Sequence, residues 1–200
     1  MKNNDNGRSM VEMLGVLAII GVLSAGALKG YSNAMFKYKV NQSIEIYNQV
    51  IQRIIELDGQ NLGADFVINS AESITQYGLM PDCNPVEYDT ALADSGCQLP
   101  IGFIETDLSN YGQYLAGVLL LHFNDENSCT AFTSANWESA VPVEWGHDRY
   151  GGQNPIFGIG GNGVRYSSAQ DRPSISSIAE NCKQECSAGE CYLQLMIREY

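Results

Sequence analysis

The sequence predicts an α+β protein: one long N-terminal helix followed by a mixed head that disulfides tie together. Three observations carry that expectation. An apolar pattern that becomes amphipathic runs without a break over residues 8–57, all six cysteines lie beyond it, and the same remainder holds strand-like runs between turn-rich segments. Two hundred residues at 44% hydrophobic content suffice for one membrane helix and one folded head, with no room for a second sizeable domain.

The helix comes first. From Met10 to Leu28 the chain reads MVEMLGVLAIIGVLSAGAL, in which Glu12 is the one charged residue. At about 1.5 Å per residue this run spans roughly 28 Å, close to the thickness of a bilayer core. A secretory signal would have a shorter apolar core and a small-residue cut site after it, whereas Leu28-Lys29-Gly30-Tyr31 continues into further helix. Beyond it Phe36, Val40, Ile44, Tyr47, Ile51, Ile54 and Ile55 recur at three- and four-residue spacing, the mark of a helix with one face to bury. No proline interrupts residues 8–57, so one helix from about Ser9 to Leu57 is expected, ended by Asp58-Gly59. The glycines at 15, 21, 26 and 30 read as packing notches, Gly26-x-x-x-Gly30 among them.

A carboxylate at the centre of a membrane helix costs about 2.5–3.5 kcal/mol, somewhat less near an end, and such residues usually serve a function. Glu12 lies five residues after Gly7, in Gly7-Arg8-Ser9-Met10-Val11-Glu12. A cut after Gly7 would create an α-amino group on Arg8, a cation that a neighbouring copy could offer to this acid. The arrangement resembles the precursors of type IV pilins, which carry a short polar leader ending in Gly and a Glu as fifth residue of the mature chain. The likeness covers about the first thirty residues, including Gly21 where pilins often carry a glycine. It implies a leader over residues 1–7 removed by prepilin peptidase at Gly7–Arg8, and a subunit–subunit charge pair between Glu12 and the new Arg8 amine. The mature chain would then have a helix over 8–57, with its membrane and filament-core part at 10–28, laid across an antiparallel sheet in a head over 58–200. The size of the head, the six cysteines and the short leader are most like the type IVb group. The partners implied are other copies of the chain, the peptidase and the inner-membrane assembly machinery. The location implied is the bacterial inner membrane first and an extracellular filament afterwards.

Cys83, Cys97, Cys129, Cys182, Cys186 and Cys191 all fall in the head, and an even count confined there reads as a disulfide framework in an oxidising compartment. The spacing Cys182-x3-Cys186-x4-Cys191 lacks the paired C-x2-C of zinc modules, and His122 and His147 have no ligand spacing to it, so no metal is expected. Six cysteines allow fifteen pairings. Cys83 and Cys97 bracket thirteen residues and Cys186 and Cys191 bracket four, so each pair could close locally and leave Cys129 with Cys182. Cys191 could replace Cys182 in the long link. A long-range bond of this kind is also what the pilin resemblance implies.

Charge divides the chain. Residues 8–57 carry net +2, while residues 58–200 carry net −14. Between Arg53 and Arg149 there is no Lys or Arg, and residues 58–148 hold fourteen acids. Phosphate binding needs a basic surface, so nucleic acid is not an expected partner. The acidity reads first as a solvated surface. A sharper reading sets the acidic heads against Lys29, Lys37 and Lys39 of neighbouring helices. Lys2 and Arg8 precede the span and these three lysines follow it, so the positive-inside rule does not decide its orientation.

Within the head, Tyr114–Phe123 is the strongest candidate for a buried strand, and the alternation of Tyr192, Leu193, Leu195 and Ile197 predicts a closing strand over 191–200. Short helices are expected over 71–79, over 128–140 with Ser128 as cap and Cys129, Phe132 and Trp137 inward, and over 173–185. Residues 60–98 read as loop-rich, with a turn at Pro81–Pro85, and Gly146–Gly163 as an exposed loop.

Gly158-Ile159-Gly160-Gly161-Asn162-Gly163 matches G-x-G-x-x-G, but a dinucleotide site needs a strand before it and a helix after it, and Pro155 and Val164–Ser168 supply neither. The acids at Asp82, Glu87, Asp89, Asp94, Asp125 and Glu126 lack the calcium-loop pattern, and His147-Asp148 is an ordinary surface pair. No catalytic grouping and no cofactor are therefore expected, and the chain is read as no enzyme. Three classes remain: a pilus subunit, major or minor, serving adhesion or surface attachment; a pseudopilin of a secretion or DNA-uptake machine; and an anchored periplasmic ligand-binding domain. The buried acid argues against the last, since a simple anchor has no use for it.

Overall fold

The structure, a computed structural model, describes residues 10–58, 60, 62–63, 65–87, 95–110, 115–135, 141, 157–161, 163–166, 172–189 and 191–198. It divides into two compact units, residues 1–39 and 40–200. Helix α1, Met10–Asp58, passes through both. The fold is α+β: the long helix, an antiparallel sheet of eight strands and three disulfides.

In the second unit α1 buries Val40, Ser43, Tyr47, Val50, Ile51 and Ile54, one stripe at helical spacing, and leaves Asn41, Glu45, Gln49, Gln52 and Arg53 exposed. Asp58 ends the helix and accepts a hydrogen bond from the backbone N–H of Leu115 at 2.6 Å, joining the last turn of α1 to the start of β5. The strands are β1 (Val67–Ile68), β2 (Pro85–Glu87), β3 (Ser95–Leu99), β4 (Gly102–Asn110), β5 (Leu115–Phe123), β6 (Phe157–Ile159), β7 (Arg165–Tyr166) and β8 (Tyr192–Arg198). Their order is β2-β3-β4-β5-β8-β6-β7, with β1 also paired to β4.

Register sets which side chains share a face. Ile104, Leu121, Leu193 and Ile159 align in one row, and Thr106, Leu119, Leu195 and Phe157 in the next. All eight are nearly or fully buried. The hydroxyl of Thr106, the one polar group in these rows, donates to the carbonyl of Ile68 at 3.0 Å, which makes its burial tolerable. Gly117 interrupts β5 with φ +140, at a bulge opposite β8, where a Cβ would strike the carbonyl of Asp107.

Among the described residues the head also holds three short helices: α2 (Ala71–Gln76), α3 (Glu126–Thr133) and α4 (Ile175–Ser187). Each starts at a side-chain cap. Ser70 and Ser73 form a reciprocal capping box on α2, Asp125 accepts from Ser128 N–H at 2.8 Å on α3, and Ser174 accepts from Ser177 N–H on α4. Ser128 is thus not the cap of α3, as the sequence had suggested. The Asp125 carboxylate takes that place three residues earlier, where a negative charge also meets the positive end of the helix, and Ser128 is buried inside the first turn. α3 ends at Thr133 with Ser134 as its C-cap, so it is shorter than the helix expected over 128–140; residues 136–140, including Trp137, lie outside the described residues.

Two expectations fail. The segment over 146–163, expected as an exposed loop, contains β6, whose three residues are buried and pair with β8. Its glycines disguise it: Gly158 lies against the Arg165 side chain, and Gly160, at φ +60, turns the chain towards β7 where a Cβ would meet Glu185. The segment over 60–98 holds β1, β2 and β3 besides α2, and β4, which carries Glu105, Thr106 and Asp107, escaped the strand pattern.

The disulfides are Cys83–Cys97, Cys129–Cys182 and Cys186–Cys191. The first ties the turn before β2 to β3, the second joins α3 to α4, and the third fixes the end of α4 to the start of β8. A crosslink acts mainly by restricting the unfolded chain, more so for a longer loop. Replacing Cys129 and Cys182 together by Ser, a separation of 53 residues, is expected to cost the head about 4 kcal/mol. Replacing Cys186 and Cys191 should cost about half that. Urea unfolding of the head, followed by near-ultraviolet circular dichroism, checks that order.

Candidate functional site

Two surfaces concentrate the chemistry that could carry function, one in each unit. In the first, α1 between Met10 and Lys39 presents apolar side chains on every side. Leu14, Ile19, Val22, Leu23 and Leu28 are all more than half exposed, and Phe36 alone among the described side chains of residues 12–39 is half-buried. The helix is long and apolar enough to cross a membrane. An exposed apolar surface of this extent is compatible with membrane anchoring.

Glu12 lies in the first turn of α1 with its side chain exposed. Gly7 and Arg8 lie outside the described residues. Among the described residues nothing lies within 4 Å of the space a Cβ would take at Gly15, Gly21, Gly26 or Gly30. The C-terminal end of the exposed stretch is basic and aromatic: Lys29, Lys37 and Lys39 are exposed, as are Tyr31 and Tyr38.

In the second unit a groove runs along the outer side of α1. Asn41, Ile44, Glu45, Asn48, Gln49, Gln52, Arg53 and Glu56 form one wall, and Gly78, Leu79 and Pro81, which follow α2, form the other. Arg53 and Glu56 pair at 2.6 Å with more than half of each side chain exposed. Asn48 Oδ1 is sealed from solvent and meets no hydrogen-bond donor among the described residues. Sequence reasoning had taken these residues only as the polar side of an amphipathic helix. The five amides of residues 41–52, Asn41, Gln42, Asn48, Gln49 and Gln52, where lysine and glutamate usually dominate, were the available signal.

The sheet face away from the apolar rows carries the other grouping that the sequence did not reveal. Glu105 Oε2 and His122 Nε2 are hydrogen-bonded at 2.7 Å, with Glu105 1% exposed. Phe103 stacks flat on the imidazole at 4.4 Å between centroids, and Tyr192 lies at 5.4 Å from it. Phe103, His122 and Tyr192 form one cross-strand row and Glu105, Leu120 and Gln194 the next, so the group exists only in the folded register. It holds no nucleophile, and its geometry fits a lock between β4 and β5. Two residues along β4, burial and then the nearby Glu105 charge raise the pKa of Asp107.

The motifs weighed in the sequence fall elsewhere. Gly158–Gly163 spans β6 and its turn towards β7, a hairpin rather than a strand–turn–helix unit. Asp125 is a helix cap, and no group of three metal-ligating side chains occurs among the described residues. His147, Asp148, Asp89 and Asp94 lie outside the described residues.

Comparison of the chain with protein-family models, with curated proteins and with solved structures gives no match in any of the three.

The Asp107 shift has a testable sign. An aspartate whose pKa is raised on folding opposes folding when ionised. That penalty is full above the raised pKa, shrinks between it and the ordinary aspartate value, and vanishes below the ordinary value. Asp107→Asn should therefore stabilise the head at pH 7. The gain should be under about 1 kcal/mol, since solvent screens a half-buried group. Thermal melts of the two proteins should converge as the pH falls towards the ordinary aspartate range.

Proposed function

We propose that the chain is a structural subunit of a type IV pilus-like filament, made as a membrane-anchored precursor and polymerised through its N-terminal helix. The observation that carries this reading is the fully exposed apolar stretch of α1 with Glu12 in its first turn. A plain anchor needs the apolar stretch but gains nothing from the acid. A filament subunit uses both. The precursor rests in the bilayer through residues 10–28, loses residues 1–7 after Gly7, and passes the same apolar surface to the helices of neighbouring copies. Glu12 then meets the α-amine of Arg8 from the next subunit in an apolar core, where an opposite charge offsets the cost of burying the carboxylate.

The head suits life outside the cytoplasm. Three disulfides persist in an oxidising compartment, and a net charge of −14 over residues 58–200 keeps a crowded surface of heads soluble. On this reading the chain acts by assembly rather than by catalysis. The antiparallel sheet packed with α1 provides a stable body for display, with adhesion or attachment as its use. The alternative of a pseudopilin or minor pilin keeps the same membrane chemistry and differs in copy number.

The mature chain in a sheared surface fraction is expected to begin at Arg8, with or without a methyl group on its amine. Intact Met1 in assembled material, or a cut beyond Leu28, would end this reading; intact-mass measurement decides. Glu12→Ala should leave cleavage after Gly7 nearly unchanged while lowering filament yield about tenfold or more, since the lost charge pair forms only on assembly. Normal filament levels in that variant would refute the pairing of Glu12 with the amine.

A further inference from the structure

We propose that Lys29, Lys37 and Lys39, with Tyr31 among them, form a collar on α1 that binds anionic lipid headgroups on the head side of the membrane span. The inference rests on the membrane-anchored stage of the filament reading and adds to it the class of lipid.

The collar follows directly on the apolar stretch. Lys29 is the first residue beyond Leu28, and Lys37 and Lys39 stand about 14 and 17 Å from Leu28 along the helix axis. All three lysines are exposed and take part in no ion pair among the described residues. No Asp or Glu occurs in residues 13–44, so their three charges are not compensated within that part of the helix. A headgroup layer adds about 5–8 Å beyond the bilayer core. The field of an anionic surface reaches about one Debye length further, roughly 8 Å at physiological salt. Side chains on a helix lean towards its N-terminus, here back towards the apolar stretch, so the long lysine stems carry their ammonium groups into that range.

The arrangement round the helix favours a lipid surface over a protein groove. At about 100° per residue, Lys29, Lys37 and Lys39 fall on one half of the circumference, and Tyr31, Met35 and Tyr38 on the other. A protein docked on one side of the helix meets only one of these sets. A headgroup layer surrounds the helix and meets both. The ammonium groups then face phosphates, while the ring of Tyr31, three residues beyond Leu28, lies at the boundary of the apolar and polar layers, the level that tyrosine favours.

The head cannot supply the same attraction. Residues 58–200 carry net −14, and an anionic surface repels them. A preference for anionic over zwitterionic lipid therefore belongs to the collar.

The experiment reconstitutes the full-length chain into vesicles of phosphatidylcholine, with and without phosphatidylglycerol, and labels its amines with a membrane-impermeant acetylating reagent. Peptide mass spectrometry compares Lys29, Lys37 and Lys39 with Lys183, which is exposed on α4 and serves as the reference within each outward-facing chain. Labelling of the three lysines relative to Lys183 should fall about threefold when phosphatidylglycerol is present and recover in high salt. In native mass spectrometry from detergent, the parent should retain phosphatidylglycerol over phosphatidylcholine about tenfold. The variant joining Lys29→Gln, Lys37→Gln and Lys39→Gln should lose most of that preference, with unchanged melting of the head. Equal labelling in both kinds of vesicle, or an unchanged lipid preference in the variant, overturns the collar and leaves the filament reading standing. Shielding that is the same in both vesicles and disappears as the chain is diluted in lipid also overturns it, and assigns the lysines to a second copy. A chain that floats with neither vesicle overturns the anchored stage of the filament reading as well, and flotation alone reveals that case.

Discussion

The head depends on one apolar layer, made where the second half of α1 meets the inward rows of the sheet. Tyr47, Val50, Ile51 and Ile54 from the helix and Leu119, Leu121, Leu193 and Leu195 from the two central strands are each fully buried. Phe132 of α3 extends the layer by meeting the Tyr47 ring edge-on at 5.4 Å. Burial, with Tyr166 nearby, pushes the Tyr47 hydroxyl well above the ordinary phenol range, which keeps it neutral in the core. Because strand side chains alternate, a slip of one residue in β5 would turn Leu119 and Leu121 outwards and Leu120 and His122 inwards. The layer therefore sets the register, and the register in turn brings Glu105 to His122. That polar pair on the far face follows from the hydrophobic one on the near face.

The disulfides act at the margin of this layer. Cys129 and Cys182 are both fully buried and join the two helices whose inward residues, Phe132 and Ile178, belong to the same core. Arg172 donates hydrogen bonds to the carbonyls of Ser134 and Ala135 at the end of α3, so covalent and polar ties hold the chain before α4 against α3. Glu185, also buried, occupies the space that a Cβ at Gly160 would need, and at Gly163 a Cβ would strike the carbonyl of Ile159 with Glu185 close by. This explains why a strand as short as β6 sits in a glycine-rich segment: small residues let α4 approach the turn that ends it.

Much of this was legible in the sequence because it lies in local periodicity. The uninterrupted pattern over 8–57 marks α1 to within two residues of its observed bounds at Met10 and Asp58, and the apolar run around Leu119 marks β5. What escaped depends on partners distant in sequence. β4 reads as polar because Glu105 and Asp107 alternate with Ile104, Thr106 and Leu108, and the burial of Glu105 is eased by its hydrogen bond to His122, seventeen residues on. β6 exists through its pairing with β8 and through the room its glycines give to Glu185 and Arg165. The groove along α1 was hidden for a related reason. Its far wall is a turn some thirty residues beyond Asn48, and exposed amides on a helix carry no sign that another element lies beside them.

The two halves of α1 solve different solvation problems with one backbone. Residues 10–28 are apolar all round, whereas residues 40–58 confine their apolar positions to a stripe because the head covers only one side. The segment between must change from one pattern to the other without a helix break, and it does so with Lys29, Lys37 and Lys39 among Tyr31, Met35 and Tyr38. Long amphipathic side chains suit that position, since their stems can lie on apolar surface while their charged or hydroxyl ends reach water or a carboxylate. A segment made that way is compatible with a lipid headgroup layer, and under the proposed filament reading the helix needs no refolding when its apolar stretch passes from lipid to neighbouring copies.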